Sequence, residues 1–307
     1  MTLYLTSTLV LVILSAITGL ALNLQWGLGG LINFGLFGFY MLAAYATGLL
    51  AQAGVPPLLA MLISLVVTAA VSGVVSQFAI RLSEDYLAIV TLGFAECLRL
   101  LVINEDWLTR GTMGLPGIVR PFHGAFGGRV PELVFLAFSV ACLLATLLLY
   151  QLIARSPLGR TLRGIRQDPL VVETLGKHVQ RVRWKVFAAG GAMVAVAGSL
   201  HAFYYSYIDP TQFTTIITAY AFMAVLMGGR GSAPGVLLSS FSVILLLEGS
   251  RFVNDQLGFI DAGQLAALRL ILVGVLLIVI IRFKPAGFMA EYRYQWASKK
   301  RALNANT

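Results

Sequence analysis

With 58% hydrophobic and 11% charged residues among its 307, and a mean hydropathy of +0.85, the chain lies far outside soluble composition, where about a quarter of residues are charged. A net charge of +9 invites a nucleic-acid reading. The basic residues, however, cluster in 155–185 and between Arg282 and Arg301, beside apolar segments, which points to membrane topology and excludes a polyanion ligand as the simpler explanation. The expected fold is an all-α, polytopic membrane helix bundle forming a single domain over 1–307, with no room for a separate soluble unit.

In chain order, residues 1 to 80 contain no Asp, Glu, Lys, Arg or His. The opening MTLYLTSTLVLVILSAITGL has no basic n-region and reads as a retained first helix over 3–22. The Gly-rich stretch GLGGLINFGLFGF at 27–39 predicts a broken or re-entrant helix near 23–40. Asn23, Gln25 and Asn33 surround it, and they either line a translocation path or satisfy backbone at a kink. Further apolar segments follow at 31–51, 57–80, 86–103, 132–153, 186–206, 216–229, 235–250 and 265–283, giving about eight to nine transmembrane segments.

Between them, RLSED at 81–85 is a short internal turn and 104–131 the longest external loop. Placing 155–185 and the tail 284–307 in the cytoplasm by the positive-inside rule orients the second half, and parity puts the N-terminus outside. The two segments flanking GGRGSAPG (228–235) are short for a membrane core of about 30 Å. Gly191, Ala195 and Ser199 form a small-residue stripe suited to close packing within the subunit.

Charged residues inside apolar segments are few. Glu96 and Arg99 are spaced i, i+3, as are Glu248 and Arg251, so each pair reads first as an intrahelical ion pair. Glu96 and Arg99 are also candidates for a path that accommodates a zwitterion. No catalytic constellation is visible. The five lysines lack the GxxxxGK[ST] context, and no GxSxG elbow or HExxH pair occurs, so any ATP hydrolysis belongs to a partner. Cys97 and Cys142 fall in apolar segments and His123, His178 and His201 are scattered, so no disulfide framework or metal site is expected.

The segment 155–185 carries eight Lys/Arg against two acids. Within it Asp168-Pro169 signals a helix start and Gly176 a stop, predicting a helix of about two turns. So short a helix is marginal alone and needs neighbours or a partner's groove to hold it.

RSPLGRTLRGIRQDPLVVETLGKHV followed by KVFAAGGAMVAVAGSLHAFYYSYIDP resembles the permease subunits of bacterial branched-chain amino acid ABC transporters. The likeness continues through ALNLQWGLGGLINFGLFGFYMLAAYA, EDYLAIVTLGFAE, TRGTMGLPGI and GGRGSAPGVLLSS, in one order over nearly the whole chain. It implies a multi-pass permease of the bacterial inner (plasma) membrane, of the high-affinity leucine, isoleucine and valine uptake type. The implied partners are a homologous permease subunit, two cytoplasmic ABC ATPases that bind the ATP, and a periplasmic or extracellular substrate-binding protein. It also implies that 155–185 is the coupling loop, with Arg163, Arg166 and Asp168 flanking its helix and Glu173, Leu175 and Gly176 in its core. Leu170, Val171 and Val172 stand where the general importer signature prefers an acidic residue and two alanines. Related permeases carry urea, amides or other amino acids. A different class, an ion-coupled secondary transporter using Glu96, lacks both the coupling-loop pattern and the whole-chain likeness.

Overall fold

The computed structural model describes residues 2–79, 84–121, 130–257, 262–284 and 287–289. His123, residues 81–83 of the RLSED turn and nearly all of the 284–307 tail lie outside these. Helix α1 (Thr2–Leu22) continues without interruption into a π-helical turn, Asn23–Leu28. Residues 29–35 are irregular, and α2 (Leu36–Gln52) resumes the helix. Then come α3 (Pro57–Ala79), α4 (Glu84–Asn104), the short α5 (Asp106–Thr109), α6 (Val130–Arg155), α7 (Pro157–Gln167), α8 (Pro169–Thr174), α9 (Val179–Tyr205), α10 (Thr215–Gly228), α11 (Ala233–Leu257) and α12 (Ala262–Phe283). Six stretches among the described residues are long and apolar enough to cross a membrane.

Three expectations need correction. The loop 155–185 holds two helices, because Ser156 caps and Pro157 starts an amphipathic turn that places Leu162 and Ile165 on one buried face. Helix α9 begins seven residues before the apolar segment, so its first two turns carry Arg181, Arg183 and Lys185. Helix α11 is 25 residues long, so only α10, at 14, is short beside GGRGSAPG. That length rises roughly 21 Å, less than a membrane core.

The centre of the bundle is α1 and α9. Helix α1 packs on α6, α9, α10 and α11, and α9 packs on α1, α2 and α3. Small residues allow the close approach: a Cβ on Gly191 would sit 2.5 Å from the Ser72 Cβ of α3. Ser199 meets Thr47 and Ser64 through hydroxyl contacts of 2.8 Å each. The predicted stripe therefore faces α3 and α2 of the same chain. By contrast α4 and α6 present exposed apolar side chains such as Ile89, Leu144 and Leu148 outward, as lipid contact requires.

The two ends of the bundle are distinct. Tyr4, at the start of α1, donates to the Glu248 carbonyl of α11 at 2.7 Å. At that same end a two-stranded antiparallel ladder pairs β1 (Leu115–Pro116) with β2 (Tyr207–Ile208) and stitches the 105–121 loop onto the end of α9. Arg120 donates to the terminal carbonyls of α9 at Phe203 (3.1 Å) and Tyr204 (2.6 Å), where a cation suits the negative end of the helix dipole. The basic α7–α8 segment lies at the opposite end, beside the π turn.

Gly191→Leu should force α3 and α9 apart and cost about 1 to 3 kcal/mol, as overpacking does. Gly93→Leu, where a Cβ meets nothing within 4 Å, should be neutral. The unfolding temperature of the two detergent-solubilised variants would separate these cases.

Candidate functional site

The loop helix α8 is built by local chemistry. The Asp168 carboxylate accepts from Leu170 N–H (2.9 Å) and Val171 N–H (3.4 Å), while Pro169 occupies the first helical position. At the other end Gly176 has φ +74°, its N–H reaches Glu173 O at 2.9 Å, and Lys177 N–H reaches Val172 O at 3.3 Å. These two bonds form a Schellman cap, which a left-handed glycine permits without strain. Val172 points inward to Ile165 and Val179. Leu170 and Leu175 are 71% and 73% exposed, and Val171 is exposed beside them. The helix thus presents an apolar tip at the end of a basic loop.

The predicted contact residues divide into two sets. Asp168, Glu173, Leu175 and Gly176 lie on the exposed tip. Arg163 and Arg166 turn toward the bundle: Arg163 donates to Ala154 O at 3.1 Å, and Arg166 donates to Gly27 O in the π turn. A helix end leaves carbonyls without intrahelical partners and carries partial negative charge, so a guanidinium is well suited to close it. Leu162 supports the same junction, its Cδ2 lying 3.2 Å from where a Cβ of Gly29 would be.

Asn23, Gln25 and Asn33 are fully buried around this junction. Asn23 donates to the Tyr150 hydroxyl of α6 (2.9 Å) and accepts from Gly231 N–H in the α10–α11 turn (2.8 Å). Gln25 donates to Phe187 O of α9 (3.2 Å) and accepts from Asn33 (2.9 Å), whose carbonyl takes Gly35 N–H (3.0 Å). Gly190 leaves the room that the Gln25 amide fills. These amides tie the interrupted helix to three other elements.

Arg230 and Trp26 were not singled out from the sequence. The Arg230 guanidinium lies 4.0 Å over the Trp26 ring, which contacts Phe222, and Phe222 in turn contacts Phe34. A signal was present, since Arg230 is the one charge between Pro210 and Leu247. On α4, Glu96 and Arg99 form an ion pair of 2.8 Å with side chains 39% and 28% exposed. No hydrogen bond joins that pair to the amide cluster among the described residues. Glu248 lies within α11, and the side chain of its expected partner, Arg251, lies outside the described residues.

The family model described as branched-chain amino acid transport system / permease component matches residues 4–281. The chain belongs to this permease family. The permease is 29% identical over 309 residues to the high-affinity branched-chain amino acid transport system permease protein LivM of Escherichia coli (strain K12), covering 93% of this chain and 70% of that one. It is 30% identical over 220 residues to the probable branched-chain amino acid transport permease protein LivM of Methanocaldococcus jannaschii, covering 69% and 61%. With the high-affinity permease protein BraD of Pseudomonas aeruginosa it shares 26% identity, over 90% and 91% of the two chains.

In the permease, Gly176→Val should strain the Schellman cap by roughly 1 to 2 kcal/mol, the cost of a left-handed residue with a Cβ, whereas Gly176→Asn should retain it. Faster exchange of the backbone amides at positions 176 and 177 in the valine variant alone is the expected result.

Proposed function

We propose that the chain is the transmembrane permease subunit of an ATP-driven importer for branched-chain amino acids, in the bacterial inner membrane. It pairs with a second, homologous permease and is driven by two cytoplasmic ATPases that bind the ATP. A periplasmic or extracellular binding protein delivers substrate to the end bearing the β1–β2 ladder. The observation that carries this reading is the capped, apolar-tipped α8 at the end of a basic loop whose Arg166 reaches the interrupted first helix.

In this reading α1, α2, α3, α4, α6, α9, α10, α11 and α12 are nine spans of one permease domain. The N-terminus is outside, the 155–185 loop and the 284–307 tail are cytoplasmic, and the first helix is broken rather than re-entrant. Asp168, Glu173, Leu175 and Gly176 belong to the face that docks on the ATPase. Arg163 and Arg166 carry its displacement inward. Asn23, Gln25 and Asn33 act as latches that pass movement of the π turn to α6, α9 and the α10–α11 turn. Alternating access then follows from ATP-driven motion of α8. The half-buried Glu96–Arg99 pair acts as a structural ion pair, and no observation favours an ion-coupled carrier built on it.

In proteoliposomes, labelled leucine should accumulate only when ATP, both permeases, the ATPases and the binding protein are all present, with isoleucine and valine competing better than urea. Gradient-driven uptake by this chain alone would overturn the reading. Arg166→Ala and Gly176→Val should each lower leucine uptake at least tenfold while ATP hydrolysis continues, so that the ratio of leucine moved to ATP consumed falls. An unchanged ratio in both would remove the loop from the coupling path.

A further inference from the structure

At the end of the bundle opposite the basic loop lies an open cavity of about 460 Å³, lined by α1, α9, α10 and α11 and by Tyr40 of α2. Beside it α10 starts late. The chain leaves α9 at Tyr205, runs through β2 and a single 3-10 turn at Pro210–Gln212, and becomes α-helical only at Thr215. The two apolar helices of at most 17 residues, α2 and α10, both line it.

The lining has two chemically different parts. One is aliphatic, formed by Leu11, Leu14, Ile216, Ile217, Ile244 and Leu247. The other is polar, formed by Tyr40, His201, Tyr205, Gln212 and Glu248. The polar part is held in place rather than loose. Asp209 accepts from Gln212 Nε2 at 2.9 Å, Gln212 Oε1 lies 3.1 Å from His201 Nε2, and the His201 ring rests against Tyr205 and Tyr40 at 4.5 and 5.4 Å between centroids. Glu248 of α11, which carries a carboxylate, also lines the cavity.

We infer that this cavity is a binding site within the single chain for a zwitterionic amino acid with a branched aliphatic side chain. The Glu248 carboxylate pairs with the ammonium group, the tyrosine hydroxyls donate hydrogen bonds to the carboxylate, His201 holds Tyr40 and Tyr205 in position, and the Leu/Ile wall takes the side chain. This assignment rests on the branched-chain reading above and adds to it a location and a set of specificity residues. A few convergent polar groups over an otherwise apolar lining are the usual composition of a small-molecule site, and the volume falls within the usual range of roughly 300 to 1,000 Å³.

The test uses the assembled importer in nanodiscs and proteoliposomes, taking only variants that co-elute with the ATPases. With Cys97 and Cys142 replaced by alanine, Ile216→Cys should react with a membrane-impermeant methanethiosulfonate, and millimolar leucine should slow that reaction at least fivefold while glycine does not. Ile217→Trp, which fills the cavity, should lower leucine uptake at least tenfold, and Glu248→Gln at least fivefold. Leu148→Trp, on the exposed face of α6, should leave uptake unchanged. Leucine-independent labelling together with full uptake by Ile217→Trp would overturn the site. Reaction of the thiol with lipid-soluble reagents alone would also overturn it, marking an acyl-chain groove instead. A wild-type importer that accumulates no leucine sinks the branched-chain reading and this ligand with it. A wild type that accumulates leucine beside an unaffected Ile217→Trp sinks the cavity alone.

Discussion

A helix that stops within an apolar bundle leaves backbone groups that lipid cannot hydrogen-bond, and each one left open costs several kcal/mol. The interruption at 29–35 meets this constraint group by group. Gly30 and Leu31 N–H return to Trp26 and Gln25 carbonyls, Phe34 N–H finds the Thr91 hydroxyl of α4, Gly35 N–H finds Asn33, and Phe37 N–H finds the Thr218 hydroxyl of α10. The Gly27 carbonyl is taken by Arg166. Trp26, Gln25 and Asn33 are local partners, whereas Thr91, Thr218 and Arg166 come from α4, α10 and α7, and Gln25 itself is held by α9. The break therefore persists only while α4, α7, α9 and α10 are in place, and a displacement of any one of them is felt at the others.

This dependence explains why small and polar side chains concentrate around α1 and α9. Glycines at 190, 191 and 198 leave no side chain between α9 and its neighbours, so that Gln25, Ser72 and the Tyr40 carbonyl can come close. Ser72 donates to the same Phe187 carbonyl that Gln25 reaches. In a bilayer the hydrophobic effect does not hold helices together, so close packing and hydrogen bonds of this kind must do so. The outer helices α4 and α6 are under no such demand, and their exposed faces are ordinary aliphatic surface.

The bundle has a mechanical polarity. At one end, short-range caps at Asp168 and Gly176 keep a six-residue helix rigid despite its length. At the other, Arg120 and the β1–β2 ladder fasten a loop to the end of α9, beside a cavity lined by α1, α9, α10 and α11. Helix α1 runs between them, tied by Tyr4 to α11 at one end and by its π turn to α7 at the other. A permease needs such a through-going element if events at its two faces are to be linked.

What could be read from residues alone was what neighbours in the chain decide. Long apolar runs with no charge specify helices in lipid, Asp168-Pro169 and Gly176 specify the ends of α8 through bonds spanning two to five residues, and Glu96 meets Arg99 one turn away. Helix α7 was equally local, announced by Ser156-Pro157, and was hidden only by the density of charge around it. The direction of Arg166 was beyond such reasoning, because its carbonyl lies 139 residues away, as was the bond from Gly231 to Asn23 across 208. Capping and periodicity are set by atoms a turn apart, so the sequence by itself determined the helices and their ends. Which arginine turns inward, which amides latch the break and where a cavity opens depend on the mutual placement of helices, and the tertiary structure alone decided them.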